Sequence, residues 1–79
     1  MKQTTLVKQA VAKCYDAFVN YAFVAQGIPV KPKTPQVQFH AGKGWHVDGR
    51  LFEASTAEVI TFYENCANHW RTEAAHADK

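Results

Sequence analysis

The chain lacks the features that mark several common classes of protein. Nine Lys or Arg stand against seven Asp or Glu, so the formal net charge of +2 supplies little long-range attraction for a nucleic-acid backbone. The longest run without a charge has 14 residues (17–30) and contains polar residues and a proline, so it is too short and too polar to cross a bilayer. Lys8 and Lys13 interrupt the apolar stretch that a signal peptide needs. We therefore expect a cytoplasmic protein with no membrane partner.

Cysteine is also scarce, with only Cys14 and Cys66 and no CxxC pair. A small secreted domain typically has more cysteines, so we interpret these as buried thiols in a reducing compartment, although the sequence leaves a disulfide open. The chain has 79 residues, 47% of them hydrophobic, which excludes a multidomain enzyme and an intrinsically disordered chain. The sequence predicts one small domain, 1–79, with a marginal core.

Motifs for catalysis and for cofactors are missing as well. Gly42-Lys43-Gly44 lacks the glycine spacing and the Lys-Ser/Thr ending of a P-loop. Both cysteines fall on apolar helix faces, where burial raises the pKa of a thiol and makes it unreactive. Ser55 is placed to cap a helix. His40 and His46 share the polar face of a predicted hairpin, but no nucleophile accompanies them. We expect a protein that is not an enzyme and binds no cofactor.

One set of residues has helical spacing that could suit a metal ion: Cys66, His69, Glu73 and His76. Cys66 points toward the apolar face of its helix, whereas the two histidines lie on the polar side. A single ion would meet two solvated imidazoles and little else. The sequence therefore predicts no metal site there.

The first element is a helix over about 4–26, because apolar residues recur at spacings of three and four. Its polar strip is narrow, so the apolar arc spans about 260°, against about 100° for an ordinary surface helix. This helix must be covered on more than one side. Gly27 follows it as a left-handed cap, with Ile28 folding back as the accompanying contact.

The rest of the chain predicts a small sheet and a second helix. A Pro-rich connector (28–35) leads to a hairpin or meander over about 36–54, with a two-residue turn at Asp48-Gly49. Ser55 and Glu58 form a capping box that starts a helix over about 56–75. Its apolar residues make one clean face: Val59, Ile60, Tyr63, Cys66, Ala67, Trp70 and Ala74.

The predicted fold is α+β with the order α-β-β-(β)-α, two helices packed on an antiparallel sheet of two or three strands. This order resembles the topology of the double-stranded RNA-binding domain, and the resemblance covers topology alone. In that family the second helix opens with lysines aimed at phosphates. Here Ala57 and Glu58 stand at that end, and the Glu58 carboxylate would repel the phosphate backbone of an RNA.

The surplus apolar arc of the first helix favours a non-enzymatic protein–protein interaction module. An exposed aromatic patch on so small a protein usually marks an interface. We expect Tyr15, Val19 and Phe23 to form it, either in a homodimer or with a host complex. Size and the lack of catalytic motifs are similar to those of anti-CRISPR and other phage host-takeover proteins, which inhibit or regulate a larger machine by binding.

The alternative is a nucleic-acid-binding domain. The middle of the chain is basic, and rings near the hairpin could stack on bases while cations hold phosphates. The same residues would serve toward an acidic partner. The candidates are Lys31, Lys33, Lys43, Trp45 and Arg50. The competing interpretation is that Trp45 and Phe39 belong to the core and the lysines only solvate the connector.

Overall fold

The computed structural model describes residues 2–31 and 34–77. Its elements follow the order α1 (Gln3–Gln26), β1 (Val37–His40), β2 (Gly44–Val47), β3 (Arg50–Phe52) and α2 (Thr56–Ala77). The three strands form one antiparallel sheet in the order β1-β2-β3. The predicted α+β architecture is confirmed, with three strands in the sheet.

Helix α1 ends where glycine supplies a left-handed residue. Gly27 has φ 68°, and its N–H donates to the carbonyl of Phe23 at 3.0 Å. The N–H of Ile28 reaches back to the carbonyl of Ala22 at 3.2 Å, which closes the last turn. Without a Cβ, Gly27 adopts this conformation at no steric cost. The chain then leaves the helix axis and enters the connector.

The turn between β2 and β3 has the two-residue form that the sequence predicted. Asp48 and Gly49 have φ of 50° and 85°, so both central residues are left-handed, as a hairpin turn matched to strand twist requires. Asp48 also ties β1 to this turn, since its carboxylate accepts from the N–H of Gln36 at 3.0 Å. Its own N–H donates to the Gln36 carbonyl at 2.9 Å. One turn therefore fixes the register of all three strands.

Helix α2 begins at the predicted cap. The Ser55 hydroxyl accepts from the N–H of Glu58 at 3.2 Å and donates to its carboxylate at 3.2 Å. In a capping box the Glu58 carboxylate is expected to accept from the backbone N–H of Ser55. In the structure it accepts from the Ser55 hydroxyl instead. The Glu58 carboxylate also lies in the first turn, where the positive end of the helix dipole stabilises it.

The two helices run side by side in the same direction. At their first turns the Thr56 hydroxyl donates to the side chain of Gln3 at 3.3 Å. Near their ends the ring of Trp70 contacts the rings of Phe18 and Tyr21, at centroid distances of 5.0 and 4.9 Å. A parallel pair is possible because the connector and sheet carry the chain back to the start of α1.

The core lies between one face of the sheet and the first two thirds of the helices. Trp45 is its largest fully buried side chain, at 1% exposure, whereas Phe39, also considered for the core, packs on the Trp45 ring and stays 55% exposed. The other members of the main cluster are Val7, Ala10, Val11, Cys14, Ala17, Val37, Val47, Val59, Tyr63 and Ala67. Successive side chains of a strand point to opposite faces of the sheet, and both helices lie on one face. Every second strand residue therefore points away from the helices.

The sheet is too short to cover the helices along their length. Strands of three or four residues extend about 10–13 Å, whereas the 24 residues of α1 extend about 36 Å. The described part of the molecule measures 45 × 22 × 20 Å. The carboxyl-terminal ends of the helices consequently project beyond the sheet. Neither helix of the described ranges has the length and apolar character needed to span a membrane.

Candidate functional site

Large apolar side chains are exposed where α1 projects beyond the sheet. Phe23 is 65% exposed and Ile28 is 49% exposed, with Phe18 and Val24 at 39% and 38%. We call these four residues the distal patch. Single exposed apolar residues are ordinary on a protein surface, but four large ones near one end of so small a domain indicate an interaction site.

The apolar arc of α1 explains why the patch forms at this end. Near the start of the helix, the sheet and α2 cover two sides, and Val7 and Val11 are fully buried. Past Ala17 the sheet has ended, and Trp70 of α2 covers one side through its contacts with Phe18 and Tyr21. Phe18 is therefore only partly covered, and Phe23 and Val24 on the remaining flank face solvent.

A cleft adjoins the patch between α1 and the connector. Tyr15, Phe18 and Val19 line one wall, and Val30 and Lys31 line the other. Its volume is about 260 Å³, which is below the roughly 300–1,000 Å³ of sites that enclose drug-sized ligands. A cleft of this size and apolar character suits one aromatic or branched side chain. Lys31 adds a single positive charge at its edge.

The predicted interface residues are only partly brought together. Tyr15 and Val19 line the cleft, whereas Phe23 lies one turn further along α1 and is the most exposed of the large apolar residues. Phe18 and Val30 complete the lining of the cleft, and the sequence did not predict either of them there. Phe18 has the spacing of the core-facing residues, so its exposure depends on where the sheet ends, which periodicity does not encode.

The basic residues of the alternative prediction do not form one surface. Trp45 is buried in the core, and its ring is unavailable to a ligand. Lys43 lines an open depression together with Glu53 and Glu58, whose carboxylates oppose binding of phosphate there. Lys31 lies at the distal cleft, and Lys33 is outside the described residues.

Arg50 is held at the edge of the sheet by aromatic rings. Its guanidinium carbon lies 5.0 Å from the ring centre of Phe52 and 5.8 Å from that of Phe62. Both distances fall within cation–π range, and the exposed guanidinium keeps its charge near solvent. The contact joins β3 to the first half of α2, so Arg50 has a structural role beside any role toward a partner.

Two buried ionisable groups occupy the core beside the sheet. Burial, followed by the neighbouring Cys66 thiol, raises the pKa of Cys14 from 9.0 to about 11. Burial also raises the pKa of Tyr63 from 10.0 to about 12, although the charge of Arg50 opposes the shift. A thiol with a raised pKa is a poor nucleophile at neutral pH. Both cysteines are free thiols.

Two histidines, His40 and His46, approach each other on the face of the sheet opposite the helices. The rings of His40 and His46 lie 4.4 Å apart between centroids, with an angle of 79° between their planes. The sequence predicted that both lie on the polar face of the hairpin, and they do. No group of three or more His, Cys, Asp or Glu that could hold a metal occurs within residues 2–31 and 34–77.

Comparison with known proteins adds no relative. No family model matches the chain, and no curated protein or solved structure matches it.

Proposed function

We propose that this protein is a binding module that acts through the distal patch and its cleft, with no chemistry of its own. The observation that carries the proposal is the pairing of a 65%-exposed Phe23 with an apolar cleft on the same helix. A projecting ring and a cleft of single-residue size are the two halves of a protein–protein contact, in which buried aromatic anchors supply most of the affinity.

The first partner that we propose is a second copy of the chain. Tyr15, Val19 and Phe23 follow one another at intervals of four, so they lie along one stripe of α1. If two α1 helices pack antiparallel about a twofold axis at Val19, Phe23 of each copy faces Tyr15 of the other. Such a stripe is self-complementary, as a twofold interface requires.

Lys31 supplies specificity at the edge of this contact. It is the one charged residue lining the cleft in the described part of the chain. A partner that places an apolar side chain in the cleft and a carboxylate near Lys31 satisfies both features of the site. We propose that a module of this kind inhibits or regulates a larger assembly by covering part of its surface, in the manner of phage-encoded inhibitors.

Light scattering and sedimentation velocity test self-association, with EDTA in the buffer so that no metal ion can bridge two chains. At tens of micromolar we expect a dimer, and we expect Phe23→Asp to weaken it by about tenfold or more because a buried carboxylate loses hydration. Leu6→Asp is the matched control: Leu6 is also exposed, on the same helix but at its other end. This control variant should remain a dimer.

A compensating double variant tests the proposed register. In Tyr15→Lys/Phe23→Asp, each new aspartate faces a new lysine of the other copy, so dimerisation should recover in part. The two positions are two helical turns apart within one chain, about 12 Å, so recovery cannot come from an ion pair inside the monomer.

A wild-type protein that stays monomeric at hundreds of micromolar would overturn self-association. Docking onto a different protein then has its own test, with a photo-crosslinking phenylalanine at position 23 and, as control, at the exposed position 51. Crosslinking to one defined protein from position 23 alone supports the module. A gel shift that depends on Lys31 and Lys43 would instead support nucleic-acid binding.

A further inference from the structure

The uncovered face of the sheet carries a pair of histidines whose arrangement suits a metal ion. His46 pairs with Gln38 across the β1–β2 ladder, and His40 pairs with Gly44. Residues that alternate along a strand share a face, so His40 and His46 both point away from the helices. Gly44 has no side chain, so nothing separates the two rings along the diagonal between them.

We propose that His40 and His46 form a two-histidine site for a divalent transition metal ion of the Cu²⁺, Ni²⁺ and Zn²⁺ group. Imidazole nitrogen is a preferred ligand of these ions, whereas Mg²⁺ and Ca²⁺ prefer oxygen. This site is on a different face from the distal patch, and it does not depend on the proposed function.

The distance between the rings supports a shared ion. With metal–nitrogen bonds of about 2.0–2.1 Å and a bond angle between about 90° and 110°, two imidazoles on one ion have centroids about 4.5–5.2 Å apart. The observed centroids are 4.4 Å apart. The centroids are thus within a few tenths of an ångström of this range, and rotation about the side-chain torsions of the two histidines would turn a nitrogen of each ring toward a shared ion.

The surroundings leave room for further ligands. Beside His46 lies a depression of about 220 Å³ lined by Gln36, Gln38, His46 and Gly49. Gln38 stands directly opposite His46, so its amide is placed to ligate directly or through water. Two protein ligands leave the remaining coordination positions to water or to a donor from another molecule, as in metal sites that keep an open position.

The test is a titration of the untagged, metal-free protein with Cu²⁺, Ni²⁺ or Zn²⁺. Calorimetry and the NMR signals of the imidazole nitrogens monitor the binding. We expect one ion per chain, and affinity in the order Cu²⁺ above Ni²⁺ and Zn²⁺. With Zn²⁺ the nitrogen signals of His40 and His46 should shift together, with paramagnetic Cu²⁺ they should broaden together, and Mg²⁺ should change neither. Any polyhistidine tag must be removed because it would bind these ions itself.

Single variants separate this site from other histidines. His40→Ala and His46→Ala should each weaken binding by about tenfold or more, since each removes one of two imidazole ligands. Both residues lie on an uncovered face, so the fold should survive, and far-UV circular dichroism checks it. The double variant His69→Ala/His76→Ala is the matched control, because both residues are exposed on α2. It should keep full affinity.

Two results would overturn the proposal. One is binding that is unchanged in His40→Ala and His46→Ala, or lost only in the α2 double variant. The other is the absence of any shift at His40 and His46 with metal in excess, which would leave the ring contact as simple edge-to-face packing.

Discussion

The indole N–H of Trp45 donates to the hydroxyl of Thr56 at 3.2 Å, and this bond ties the central strand to the first turn of α2. The same hydroxyl donates to the side chain of Gln3 in α1. Elements from both ends of the chain and from the central strand therefore meet at one polar contact beside the core. Burying an indole N–H without a hydrogen-bond partner costs free energy. The bond to Thr56 therefore allows Trp45, the largest core residue, to be fully buried.

We predict that Trp45→Ala lowers the free energy of unfolding by about 3–5 kcal/mol because it opens a cavity in the core. Thr56→Val replaces the hydroxyl with a methyl group of similar size and should cost about 1–3 kcal/mol. Thr61→Val, on the exposed side of the same helix, is the control and should change stability little. Urea denaturation measures all three. Equal effects of the two threonine variants would show that the indole bond is not formed in solution.

Two glycines of the β1–β2 turn should respond differently to substitution. Gly42 and Gly44 have φ of 78° and 109°, so alanine is strained at both. At Gly44 a Cβ would also collide with the carbonyl oxygen of Phe52, whereas at Gly42 it meets nothing. We expect Gly42→Ala to cost about 1–2 kcal/mol and Gly44→Ala about 2–4 kcal/mol.

The urea midpoint with an unchanged m-value gives both costs. The comparison isolates the clash, because backbone strain is present in both variants. Equal losses of stability would mean that β3 moves away from Gly44 freely and that the approach of the two strands is not constrained there.

Stability should fall as the pH rises above about 9. Burial raises the pKa of Cys14 from 9.0 to about 11 and that of Tyr63 from 10.0 to about 12. Between pH 9 and 11 for Cys14, and between pH 10 and 12 for Tyr63, the folded state binds more protons than the unfolded state. The free energy of unfolding therefore decreases as the pH rises. The contribution is complete below pH 9 and is lost as the pH passes through 11 and 12.

Tyr63→Phe separates the two groups. It removes the phenol, so the decrease between pH 10 and 12 should become shallower while the part due to Cys14 remains. Thermal unfolding across pH 8–11.5 measures the slopes, and absorbance near 295 nm follows the ionisation of tyrosine. Identical slopes for wild type and variant would contradict the burial of this phenol.

Short-range rules explain how much of the fold the sequence predicted. Gly27 ended α1, Ser55 started α2, and Asp48-Gly49 turned the chain, because each acts through bonds to residues a few positions away. The predicted helix bounds differ from the observed ones by two residues or fewer. The α2 residues predicted to be apolar and inward are all buried or half-buried.

The candidate site was only partly predictable. Tyr15, Val19 and Phe23 follow from the surplus apolar arc of α1, but the cleft also needs Val30 from the connector. For Trp45 the sequence left two positions open, a basic ring-bearing surface or the core, and the structure buries it. A strand pattern tells which residues share a face, and it does not tell which face the helices cover.

The sequence by itself determined the elements of this protein, the caps and turns that bound them, and the excess of apolar surface on α1, since these depend on local bonding and periodicity. The tertiary structure decided where that excess is exposed. Helix and strand lengths are mismatched, so a sheet about 13 Å long leaves the end of a helix about 36 Å long uncovered. The packing of α1 against α2 also placed Cys14 beside Cys66, whereas the approach of His40 to His46 follows from the local hairpin.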